Sequence, residues 1–228
     1  MQQTFLDIVY KIFYETAQRD FKDIRLLLSE KFSVPSIKFE PNIEVKIPIP
    51  KKTEYGIVYS GYLFKDSQEE MITAWSIFLA TVYHLAAHVA VSNYSLYENW
   101  VKDKTPGLAW KVINFIEDAA AEKYLLATNS DVSSNLLKIK NEYSKYHNLN
   151  RNKSKFALNL GSKTLVSIKN EMSQVTLQSL ERPNENLKIR WASELYQNRI
   201  LFSEESPFYY EQNNLEPSLI LKHNKMKI

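Results

Sequence analysis

The tetrad Ser67-Gln68-Glu69-Glu70 has the S-x-x-E form of a capping box and stands directly before a long apolar run. A serine oxygen at the cap satisfies a free N–H of the first turn, and the glutamate reaches back. The pattern predicts a helix from there to about Val91, roughly 35 Å long at 1.5 Å per residue. A second start signal, Thr105-Pro106, puts proline at the first helical position. It predicts a helix carrying "LAWKVINFIEDAAAEKYLLA" to near Asn129. The segment between the two helices, "SNYSLYENWVKDK", is short enough to make them antiparallel neighbours. Two long helices held this close oblige the remaining elements to pack around them.

On the N-terminal side, Phe5, Ile8, Val9, Ile12, Phe13, Phe21, Ile24, Leu27 and Leu28 fit a 3.6-residue stripe, which predicts a helix over 3–32. "VPSIKFEPN" ends it with two prolines. "IEVKIPIP" (43–50) alternates strictly and reads as a strand, with Pro48 and Pro50 marking an edge or an end. "GIVYSGYLF" (56–64) reads as a second strand, and the two are expected to pair antiparallel. Beyond the second long helix, "SSNLLKIKNEYSKY", "TLVSIKNEMSQVTLQSL" and "ENLKIRWASELYQNRILF" are the best helical segments. The expectation is an α+β, mostly α protein: a small N-terminal antiparallel sheet and a packed helical bundle. It forms a single domain over 1–205, with 206–228 a tail or linker.

Several chemistries are excluded by composition. The chain has no cysteine, so it has no thiolate zinc site, Fe–S cluster or cysteine nucleophile. Four glycines and no GxGxxG or GxxxxGK[ST] argue against the usual nucleotide loops. No G-x-S-x-G elbow starts a serine triad. The residues three before His84 and His88 are Thr81 and Leu85, not the glutamates of a di-iron bundle. The N-terminus lacks the basic start and unbroken apolar core of a secretory signal. The apolar run around 77–92 is too short and polar for a membrane span. The reading is a soluble cytoplasmic protein. Residues 138–169 carry eight Lys or Arg against Glu142 alone. No recognition motif accompanies that charge, so a solvated segment is expected there rather than a nucleic-acid surface.

The candidate chemistry lies on the two long helices. "TVYHLAAHVA" (81–90) places His84 and His88 four apart, on one helical face, the spacing that lets two imidazoles share one tetrahedral zinc. Two histidines that merely pack give the same letters, and a lone H-x-x-x-H is a weak motif. The second helix adds Glu117, Asp118 and Glu122 among Ile113, Phe115, Ile116 and Ala119–Ala121. Carboxylates in apolar surroundings need a cation, a metal or a hydrogen-bond network, and the alanines let another helix come close. In antiparallel packing Glu117 can reach the open side of the histidine pair, making three ligands with a fourth position open. Asp118 or Glu122 then orients an imidazole through its other nitrogen. The competing reading is a plain His–Glu interhelical hydrogen bond, or acidic residues that suit the helix dipole. His147 and His223, in polar and basic settings, read as surface residues, and Tyr94 and Tyr97 as packing.

The order of strand, helix with H-x-x-x-H, short connection and helix with N-x-x-E-D resembles the gluzincin side of the zinc-peptidase fold. More specifically, it is similar to the N-terminal domain that precedes von Willebrand factor A domains in proteins of the nitric-oxide-reductase activation protein D and cobaltochelatase T type. That family's pattern is close to H-E-x-x-H followed by N-x-x-E-D-x-R-x-E. His84 and His88 match the first motif, and Asn114, Glu117, Asp118 and Glu122 match the second. The resemblance covers about residues 43–126. It implies a minimal zincin-like fold, zinc at His84, His88 and Glu117, and partnership with a MoxR-type AAA+ ATPase in activating or inserting metal into another enzyme.

The chain departs from the pattern at two positions. Leu85 stands where the family has the glutamate that takes a proton from metal-bound water; losing a general base typically costs about 10²- to 10⁴-fold. Ala120 stands where the family has arginine. No von Willebrand domain is present, and "DVSSN" (131–135) only superficially matches its D-x-S-x-S metal motif. The expectation is a catalytically impaired zincin-like domain that binds a protein partner. Two alternatives stay open: a working metallopeptidase with Glu122 or Asp118 as base through water, and a helical interaction module whose histidines only pack.

Overall fold

The computed structural model describes residues 2–39, 42–133, 167, 168, 170, 171, 174 and 185–197. In chain order these form α1 (Gln2–Ala17), β1 (Ile24–Ser29), β2 (Ser36–Lys38), β3 (Ile43–Pro48), β4 (Lys51–Thr53), β5 (Gly56–Tyr59), β6 (Tyr62–Phe64), α2 (Gln68–Val91), 3₁₀ turns at Tyr94–Tyr97 and Trp100–Asp103, α3 (Pro106–Thr128) and α4 (Glu185–Gln197). The class is α+β, mostly helical, as expected. The tail at 206–228, His147, His223 and all of 138–169 except Ser167 and Ile168 lie outside the described residues.

The N-terminal region differs from the sequence reading in two ways. The first helix stops at Ala17 rather than running to 32, because Gln18 turns left-handed at φ 50° and a polar turn follows, closed by Asp23 N–H on the Asp20 carbonyl. Phe21, counted in the helical stripe, is 69% exposed. Ile24–Ser29 is instead a strand. A short apolar run such as "IRLLL" satisfies helical and strand templates equally, and pairing decides between them. β1 lies parallel to β3, from Ile24 opposite Ile43 to Ser29 opposite Pro48, and β2 lies antiparallel on the other side of β3. Residues 43–48 are therefore the centre of a mixed sheet, not the partner of 56–64. Pro48 ends its strand beyond the last β2 pair, where a missing N–H does no harm. The stretch 56–64 folds on itself as β5 and β6, and with β4 makes the small antiparallel sheet.

The helical frame follows the signals in the sequence. Ser67 Oγ accepts from Glu70 N–H at 3.3 Å, and the Glu70 carboxylate accepts from Lys65 N–H rather than from the cap itself. α2 is the one helix among the described residues long and apolar enough to cross a membrane, yet 72% of its most apolar window is buried inside the protein. One side of it, with Phe78, Val82, Leu85 and Val89, closes over α1 and both sheets. Another side, with Ala80, Ala87 and Val91, meets Ala120, Ala121, Tyr124 and Leu125 of α3. From Ala74 onward most of its faces are buried, as expected of a helix apolar on most sides. α3 in turn packs Ile113 and Ile116 against Trp191, Ala192 and Leu195 of α4. α3 is thus clasped between α2 and α4, and each facing surface carries one ionisable cluster.

Candidate metal centre

Helical geometry sets what α3 can present. Residues 118, 121 and 125 meet α2, while 113, 116 and 117 meet α4. Adjacent carboxylates at 117 and 118 therefore leave the helix in different directions. Asp118 meets the histidine pair: its Oδ1 lies 3.0 Å from His88 Nε2 and 3.5 Å from His84 Nε2, and the two Nε2 atoms are 3.1 Å apart. All three residues are buried, with His84 at 2%, His88 at 4% and Asp118 at 9% exposure.

The group His84, His88 and Asp118 has the make-up and spacing to hold a metal ion. One tetrahedral ion with bonds of about 2.0–2.1 Å to nitrogen and oxygen holds its ligand atoms about 3.3–3.4 Å apart. The three separations bracket that edge, so the donors are already placed around a common centre. The charge state also suits a divalent cation. Burial, then the neighbouring His88, lowers the pKa of His84, against the opposing pull of Asp118 and Glu122. Burial works against the ionised Asp118, but hydrogen bonds from His84 and His88 outweigh it and hold the carboxyl far below its ordinary range. A neutral imidazole and an ionised carboxylate are the forms that bind metal. His88 Nδ1 lies 2.8 Å from Ser92 Oγ. The hydrogen bond to Asp118 uses a proton on Nε2; metal binding would take the other tautomer, in which Nδ1–H donates to Ser92 Oγ and the Nε2 lone pair is free. Glu122, one turn past Asp118, raises the His84 pKa by its charge, the smallest of the influences on that ring.

Glu117, expected as the third ligand, is elsewhere, and Asp118, expected to support an imidazole, takes its place beside the histidines. Glu117 is fully buried and receives both oxygens' worth of contact from Lys188 Nζ of α4, at 2.9 and 2.8 Å. Tyr97 O–H donates to Glu117 Oε1 at 2.8 Å. Burial, then the Glu117 charge, pushes the Tyr97 phenol well above its usual pKa, so it stays a donor. Lys188 was not singled out from the sequence, although a signal existed. Residues 188, 191, 192 and 195 are all buried at i, i+3, i+4, i+7, and lysine occupies one position of an otherwise apolar stripe. A cation in that place needs an anion opposite it.

The two positions where the chain departs from the zinc-peptidase pattern are filled by core packing. Leu85 is fully buried in the cluster that joins α2 to the sheets, and Ala120 is fully buried in the α2–α3 seam. Comparison with family models, with curated proteins and with solved structures gives no match.

Proposed function

We propose that this chain is a metal-binding, non-hydrolytic relative in form of the zinc peptidases, in which a zinc ion held by His84, His88 and Asp118 clamps α2 to α3. The observation that carries the reading is the convergence of three buried donor atoms, 3.0–3.5 Å apart, between two core helices. Two imidazoles with one carboxylate suit zinc. Leucine at 85 leaves no carboxylate beside the first histidine to take a proton from water, and the burial of all three donors favours a fold-stabilising ion over one presented to a polypeptide substrate. The domain then acts on other proteins by binding them. The MoxR-type ATPase partnership and the role in metalloenzyme activation rest on the resemblance of the His84–His88 and Asn114–Glu122 motifs alone. Metal bound only by the folded state raises stability, by about 4 kcal/mol when free metal is 1,000-fold above its dissociation constant. Thermal unfolding with added zinc and with chelator tests the reading. Zinc should raise the Tm of the natural chain by several degrees and leave the His84→Ala/His88→Ala variant unmoved. Equal Tm values for the natural chain under both conditions would refute it.

A further inference from the structure

Asn114 is 1% exposed, and its side-chain oxygen has no hydrogen-bond partner among the described residues. A buried amide oxygen left alone is unfavourable by about 1–3 kcal/mol, so a helix core retains one only where something else satisfies it. Its place identifies what that is. Asn114 stands one turn before Asp118 on α3, on the same side of the helix as the carboxylate that meets the histidines. Asn114 and Asp118 are thus an i, i+4 pair, as His84 and His88 are on the opposing helix. We infer that Asn114 Oδ1 is the fourth donor of the metal centre. α2 supplies two nitrogens, α3 supplies two oxygens, and the ion sits in a closed four-ligand cage with no position for water.

This inference rests on the metal reading above and sharpens it, because four protein ligands make a structural site and three make an open one. It also accounts for an amide where a packing residue would serve the apo fold better. The variants Asn114→Leu and Asn114→Asp separate the two roles. Leucine nearly matches the volume and removes the orphan oxygen, so the metal-free fold should be as stable as the natural one or more so. Zinc affinity, measured by competition with a chromophoric chelator, should nevertheless fall by at least the roughly 10- to 100-fold that losing a supporting partner typically costs. Aspartate keeps an oxygen donor and should retain or tighten binding. The cobalt-substituted natural protein should show the intense visible absorption of a tetrahedral ion, altered in Asn114→Leu. Natural affinity and an unchanged cobalt spectrum in Asn114→Leu would overturn the fourth-donor assignment while leaving the three-ligand site intact. A natural chain that takes up neither zinc nor cobalt would overturn both.

Discussion

Neighbouring residues on α3 with nearly the same side chain have opposite fates. Glu117 and Asp118 differ by one position, which on a helix is about 100°, and that rotation sends one to a lysine and the other to two histidines. The sequence made both visible as carboxylates in need of a partner. Which one met the histidines depended on which face of α3 turned toward α2 and which toward α4, a tertiary choice that no local pattern reveals. The Glu117–Lys188 contact is a buried ion pair, with both groups at least 96% out of solvent. Removing one partner of such a pair leaves an uncompensated charge in the core and typically destabilises by about 3–5 kcal/mol. Lys188→Met should lower the free energy of urea unfolding by that order, and Glu117→Leu/Lys188→Met should recover most of it. A single variant within about 0.5 kcal/mol of the natural chain would show that the pair is not held in the folded protein.

Elements with strong end signals were legible and elements defined by pairing were not. α2 and α3 carry their own cap, proline and length information, and they form where the sequence places them, antiparallel and joined by a short connection. The alanines at 120 and 121 announced the close α2–α3 seam. By contrast, "IRLLLS" becomes a strand only because β3 lies beside it in parallel register. The "GIVYSGYLF" stretch is two strands because Ser60-Gly61 turns between them, with φ of 50° and 83°. Gly56 in that small sheet has no room for a side chain. At φ 139° it lies where a Cβ would fall 2.0 Å from the Phe64 carbonyl oxygen. Gly56→Ala should therefore destabilise the protein by more than the about 1 kcal/mol of an ordinary glycine conformational effect. Thermal unfolding checks this, and a variant with natural Tm would mean that β5 and β6 sit further apart.

For the molecule as a whole, the His84–His88–Asp118 cluster and the Glu117–Lys188 pair lie on different faces of α3, so polar contacts tie that one helix to both α2 and α4. The histidine side carries a pH dependence whose sign follows from burial. His84 resists protonation when folded, so below the ordinary histidine range near pH 6.5 the unfolded chain binds more protons and stability falls as the solution is acidified. Asp118 contributes the other way round in range only: its depressed pKa adds stability above the ordinary carboxylate range and loses it as pH drops below about 4. Urea unfolding of the metal-free protein should show stability declining between pH 7.5 and 5, and a flat profile there would contradict the burial of a neutral His84. Bound metal would steepen the decline, since protons compete for the same nitrogens.

The central claim is that His84, His88 and Asp118 together hold an ion, and metal content tests it most directly. Tag-free protein prepared without chelator would be measured by plasma mass spectrometry beside the Asp118→Ala and Glu117→Gln variants, each first shown to be folded by circular dichroism. The account predicts close to one zinc per natural chain, loss of metal in Asp118→Ala and retention in Glu117→Gln. A natural chain without metal that also binds none on titration, or metal lost on changing Glu117 and kept on changing Asp118, would contradict it.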